Sequence, residues 1–212
     1  MATDARPRQN EDKAWLLRAL LVLQSPRAVF AAIRDDSDEA AGARQEPLIA
    51  LVWLAGMAAV LAAPAMNNVL DDPARDGLIV AIVVFFAGGM YGLAAYWLLG
   101  GILHVCVRRF GSRGTYRRTR HLFGYALAPL GLALVTFWPL RIAIEGGDLF
   151  RYGGSDRGHV FADLFYAFVA WTVALVVIGV RTVHGWTWAR ALTAVGTATA
   201  LAALVVLGSA VL

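Results

Sequence analysis

Four side chains on one side of the expected spans have the chemistry to hold a soft metal ion: His104, Cys106, His121 and His184. Imidazole nitrogen and thiolate sulfur are ordinary zinc ligands. Their order contains no Cys-x-x-Cys and no paired His/Cys spacing of a metal site, and the three histidines fall at the ends of long apolar runs. That placement favours anchoring at a membrane interface, with no metal and no cofactor. Nucleophile chemistry fares no better. Ser112 and Ser155 sit in glycine-rich polar loops without a Gly-x-Ser-x-Gly elbow. The turn from Gly153 to Gly158 lacks the Lys-Ser/Thr that follows a phosphate loop, and no His-Glu-x-x-His is present. The sequence offers no reaction, and the expectation is a protein that is not an enzyme.

Other residues stand out because of where they lie. Arg141 falls near one end of an apolar stretch and Asp163 near the start of the next, so a structural ion pair between them is expected. Glu145, four residues after Arg141 on the same helical face, is the competitor for that guanidinium. Tyr125 and Pro129 also share a face, and Pro129 removes one backbone hydrogen bond. A bend follows, which serves either as a hinge beside a small polar site or simply as a shape for packing. Gly88/Gly92 and Gly196/Ala200 have small-xxx-small spacing, suited to close helix contact inside a bundle or between subunits.

The elements that must position these residues are membrane spans. Hydrophobic residues make up 59% of the 212 and charged residues 16%, against about 25% charged in soluble domains. Apolar runs without in/out alternation exclude a barrel and leave an all-α, polytopic membrane protein. Five spans are expected, at about 47–66, 78–107, 122–144, 161–180 and 191–212. The second is long enough that it must tilt, project, or break at Gly88-Gly89 or Gly100-Gly101. Before them lies an N-terminal segment, 1–46: polar residues 1–13, expected to be disordered, then Ala14–Arg34, then an acidic linker, Asp35–Glu46. Ser25 reads as an N-cap with Pro26 in the first helical position. The arginines on that apolar background suit an amphipathic segment at the membrane face, or a helix packed under the bundle. Residues 47–212 form the membrane domain.

Lysine and arginine number 19, of which fifteen fall on one side of the expected spans and four on the other. The positive-inside rule then puts the N-terminus in the cytoplasm and the C-terminus outside. Basic charge next to spans sets topology, so nucleic acid is not an expected partner. A single cysteine excludes an internal disulfide framework.

Three stretches resemble the Yip family, the Ypt/Rab-GTPase-interacting membrane proteins, in its bacterial branch. The first is Leu23–Ile33, with Ser25, Pro26 and Phe30; the second is Gly124-Tyr125 with Pro129. The third is Trp171, Leu175 and Gly179, then Gly185, Trp186, Arg190 and Ala191. The resemblance implies five spans, a cytoplasmic N-terminus and no reaction. Eukaryotic members are associated with Rab-type GTPases; that role is not carried over to this chain. Arginine used almost to the exclusion of lysine suits a GC-rich bacterial genome, and hence a bacterial inner membrane. The function expected is a non-enzymatic scaffold or interaction protein. Its partners would be membrane lipids, other copies of itself and a protein at the cytoplasmic face. The alternative is a lipid or small-solute transporter or channel, which needs polar groups converging at mid-bilayer.

Overall fold

The computed structural model describes residues 21–63, 66, 77–146 and 160–211, with side chains up to 204. The polar stretch 1–13, the first part of the Ala14–Arg34 segment, the Gly153–Gly158 turn and most of the link after the first span lie outside the described residues. Within them every regular element is helical: α1 (Pro26–Ala32), α2 (Asp38–Leu61), α3 (Gly77–Arg109), α4 (Tyr116–Ala126), α5 (Ala128–Glu145), α6 (Val160–His184) and α7 (Trp188–Val211). Among the described residues, α2, α3, the Tyr116–Glu145 pair and α6 are long and apolar enough to cross a membrane.

The expected third span is two helices end to end. The break falls at Leu127, where the N–H reaches back only three residues, to the Gly124 carbonyl at 3.2 Å. Pro129 explains it, because a proline ring cannot donate to the residue four before it and disfavours a continuous ladder there. This broken helix is the hub of the bundle: α4 packs on α2, α3 and α6, and α5 packs on α2 and α6. The outermost helix, α7, leans on α3 and α6.

Helix α2 begins at Asp38, nine residues before the expected start at Pro47, and absorbs most of the stretch read as an acidic linker. Ser37 caps it by accepting from the Ala40 N–H at 3.3 Å, and Asp38 and Glu39 sit against the positive end of its dipole. Helix α3 is unbroken through both glycine pairs. Its glycines serve packing instead. A Cβ on Gly88 would lie 2.6 Å from the Met57 Cα, and one on Gly56 would lie 2.6 Å from the Gly92 Cα. Gly56, Gly88 and Gly92 thus form a seam in which the α2 and α3 backbones touch. Gly89 receives the Trp53 ring. Gly196 differs: a Cβ there meets nothing within 4 Å, and both Gly196 and Ala200 face outward.

Helix α1 and its flanking residues are anchored in the bundle. Val22, Phe30 and Ile33 are buried in the same apolar core as Leu48, Tyr96, Leu122 and Val180. Phe30 fits against Gly179, whose Cβ would be 3.2 Å from the Phe30 ring and 2.9 Å from the Leu122 Cγ. In its described part the segment is anchored through Val22, Phe30 and Ile33, while Arg27, Ala28, Ala31 and Ala32 stay exposed. Ser25 is the N-cap and Pro26 opens the helix, although the Ser25 hydroxyl makes no capping bond.

Candidate functional site: an arginine-braced face

The end of the bundle where α2, α4 and α7 begin and α3 and α6 end collects most of the basic residues. Two helices stop there on glycines. Gly111 (φ +87°) follows α3 and Gly185 (φ +65°) follows α6, a region of backbone space that favours glycine. Each end closes with the six-to-one bond of a Schellman turn: Ser112 N–H to the Val107 carbonyl at 2.9 Å, and Trp186 N–H to the Arg181 carbonyl at 3.1 Å.

Arginines satisfy the carbonyls that such ends leave over. Arg34 Nε donates to the Thr182 carbonyl at 3.1 Å, and Arg190 Nε to the Phe110 carbonyl at 3.0 Å. Arg118 donates to the Arg34 carbonyl at 2.7 Å. Buried Arg44 spans three segments, with Nε on the Ala40 carbonyl at 2.6 Å, one Nη on the Ala32 carbonyl at 3.1 Å and the other on the Asp35 carbonyl. Where the accepting carbonyl is at a helix C-terminus, as for Thr182 at the end of α6 and Phe110 after α3, the cation also meets the negative end of the macrodipole.

The chain between α3 and α4 is fastened in the same way. Arg117 pairs with Asp36 at 3.0 Å and Asp38 at 2.6 Å, and the Thr115 hydroxyl donates to Asp36. Burial pushes the Asp36 carboxyl up, but the Thr115 hydroxyl and Arg117 outweigh it and hold its pKa below the usual 3.8. The Arg120 guanidinium stands over Trp97, 3.6 Å from the ring centre, and donates to the Tyr96 hydroxyl at 3.1 Å. Ser112 Oγ accepts the Gly114 N–H at 3.0 Å and meets His184 Nδ1 at 3.2 Å, pinning this loop to the end of α6. What remains turned outward is Arg27, Arg108, Arg109 and Arg113, exposed and with no hydrogen bond or ion pair among the described residues.

The other predicted residues distribute around this face and the core beneath it. His104 meets the Thr119 hydroxyl at 3.2 Å, and His121 is buried nearby. Among the described residues no group of three or more His, Cys, Asp or Glu could hold a metal ion. Gly124 is closed off by Leu48, 2.8 Å from a virtual Cβ, and Tyr125 and Pro129 are buried. Trp171 stays partly exposed, outside the core that takes in Gly179.

The expected Arg141–Asp163 pair does not form. Arg141 Nε binds Glu145 Oε2 at 2.8 Å, and Asp163 is exposed on the first turn of α6 with no ion pair among the described residues. Four residues along one helix put Glu145 directly beside Arg141, whereas Asp163 needed a second helix at the right rotation. Trp138 and Phe161 add ring faces to the same guanidinium.

Reasoning from sequence missed Arg44, hidden in an apparently solvated linker, and Gly56, the partner of the α3 glycines. Small residues in the first span were the only signal for Gly56.

Fold and face together define a helical protein that passes through a membrane several times. The Yip1 domain family model matches residues 20–210, nearly the whole chain, and the protein belongs to that family. No curated protein and no solved structure matches the chain.

Proposed function

We propose that the protein is a non-enzymatic membrane scaffold that presents the arginine-braced face to a cytoplasmic protein partner. The observation that carries this reading is the division of labour among the arginines. One set is spent on carbonyls and carboxylates and braces the face, while Arg27, Arg108, Arg109 and Arg113 are exposed, with no hydrogen bond or ion pair among the described residues. A preorganised surface loses little freedom on association. The interior suits a scaffold better than a solute path. Among the described residues, the buried polar ones are Arg44, Thr119 and His121 at the braced end, Glu145 at the other, and Thr172 between them.

In this reading α7 is a fifth span, the membrane is a bacterial inner membrane, and the braced face is cytoplasmic. The outward Gly196/Ala200 face of α7 is where copies of the chain would meet.

A photo-crosslinking amino acid at position 113, compared with one at position 79 on the exposed apolar face of α3, tests the proposal in cells. Discrete protein adducts at 113 and none at 79 are expected. Lipid adducts alone at both positions would remove the scaffold reading.

A further inference from the structure

Packing contacts set where the membrane begins at the braced end. A Cβ on Gly124 would lie 2.8 Å from the Leu48 Cγ, so Arg120 and Arg44, each one turn earlier on α4 and α2, stand at one level. A Cβ on Gly179 would lie 2.9 Å from the Leu122 Cγ, which brings Arg181 of the oppositely directed α6 to that level too. Arg120 and Arg141 are about 31 Å apart along α4 and α5, and Asp163 and Arg181 about 27 Å apart along α6. Both lengths match a hydrocarbon core of about 30 Å, so these charged residues mark its two edges.

Helix α3 crosses the same core and goes on. Gly100 packs on Arg120, whose Cγ would be 3.3 Å from a Cβ there, so Gly100 lies at the edge. From it the helix continues to Arg109, about 13 Å further along the axis. A tilt of about 20° takes less than about 1 Å from that height. The headgroup layer is only about 5–8 Å deep on each side. Helical side chains lean back toward the N-terminus, here toward the membrane, which leaves the Arg108 and Arg109 guanidiniums at the outer rim of that layer, open to water.

This projecting end is anchored. Cys106 and Val107 are buried in the core with Ala191, Ala194 and Val195 of α7, and Arg190 Nε holds the Phe110 carbonyl at 3.0 Å. Arg108 and Arg109 are exposed, with no hydrogen bond or ion pair among the described residues. One turn below them on the same face is Val105, 54% exposed although it stands above the hydrocarbon edge. Two guanidiniums beside an apolar side chain, on a helix end lifted clear of the hydrocarbon, complement a segment that is acidic and partly apolar.

We infer that the tip of α3 docks an acidic segment of a water-soluble protein, whose carboxylates pair with Arg108 and Arg109 above Val105. This names the chemistry of the partner in the scaffold reading and rests on that reading.

The test uses the full chain in phosphatidylcholine nanodiscs, with a fluorescein-labelled peptide of ten glutamates as probe and anisotropy as readout. The peptide should bind, lose affinity as salt rises, and lose about two- to fivefold for Arg108→Gln and for Arg109→Gln, as for exposed ion pairs. A peptide of ten lysines should not bind. Undiminished binding of the glutamate peptide to a folded chain with both arginines replaced by Gln would overturn the inference. Height is tested with a bimane dye on Arg109→Cys, which aqueous iodide should quench more strongly than nitroxide-labelled lipid; the reverse order would return the arginines to the headgroups and overturn it as well. In cells, protein adducts at position 113 that persist undiminished when both arginines are Gln would sink this inference and leave the scaffold reading standing. Absence of adducts at 113 in the unsubstituted chain would remove the scaffold reading itself.

Discussion

Replacing Phe30 with Ala distinguishes a helix built into the bundle from one resting on the membrane. The ring is fully buried against Gly179 and Leu122. Removing a core Phe ring costs about 3–5 kcal/mol in transfer and cavity terms. The lower figure, about 3 kcal/mol, applies here because Leu122 can move partly into the space. For a chain of this size that corresponds to a fall of about 6–12 °C in unfolding temperature. Gly179→Ala should cost about 1–3 kcal/mol by overpacking, since its Cβ would lie 2.9 Å from Leu122 and 3.2 Å from Phe30. Combined with Phe30→Ala it should cost less, with a coupling of about 1 kcal/mol, because the missing ring relieves the clash. The assay is built into the chain. Cys106 is its only cysteine and is buried in the same core as Phe30, so a maleimide dye that brightens on reaction reports unfolding in detergent. A shift under about 2 °C for Phe30→Ala, or strict additivity of the pair, would refute the packing of α1 as described.

The α2–α3 seam predicts that Gly92→Ala lowers stability by at least about 1–3 kcal/mol by overpacking, with the same dye as readout. Gly196→Ala should leave it within about 0.5 kcal/mol, because open space surrounds that position. Glu145→Gln should destabilise by weakening the buried partner of Arg141, whereas Asp163→Asn should be neutral; the opposite order would restore the cross-helix pair. Asp36 has a lowered pKa, so its contribution is complete above the unfolded value of 3.8 and is lost as pH falls through the folded value. Acid unfolding curves of Asp36→Asn should therefore converge with wild type only below about pH 4.

How far the sequence reaches depends on the range of the interaction involved. Membrane class, helicity and the break near Pro129 follow from composition and from a missing N–H, both properties of a single stretch. Span ends were harder. Asp38–Glu46 reads as linker because its residues are polar, yet Ser37 and the two acidic residues after it are also a strong helix start. Phe30 against Gly179 and Gly56 against Gly92 are contacts between distant segments, and spacing within one helix says nothing of its rotation toward another. Arg141 shows the same limit, since its local partner at four residues prevailed over a remote one. The capping arginines were visible only as positive charge. That Arg34, Arg44, Arg118 and Arg190 each point at particular carbonyls depends on where the helix ends converge.

Everything proposed for the braced face requires it to lie in the cytoplasm, with five spans carrying the C-terminus to the other side. The direct measurement is a pair of reporters, one active only in the cytoplasm and one only outside, each fused after Leu212 and, separately, within the Gly111–Gly114 loop. Cytoplasmic activity from the loop and external activity from Leu212 are the expected results. Cytoplasmic activity at Leu212 would contradict the five-span arrangement, and external activity from the loop would place the arginines on the wrong side of the membrane.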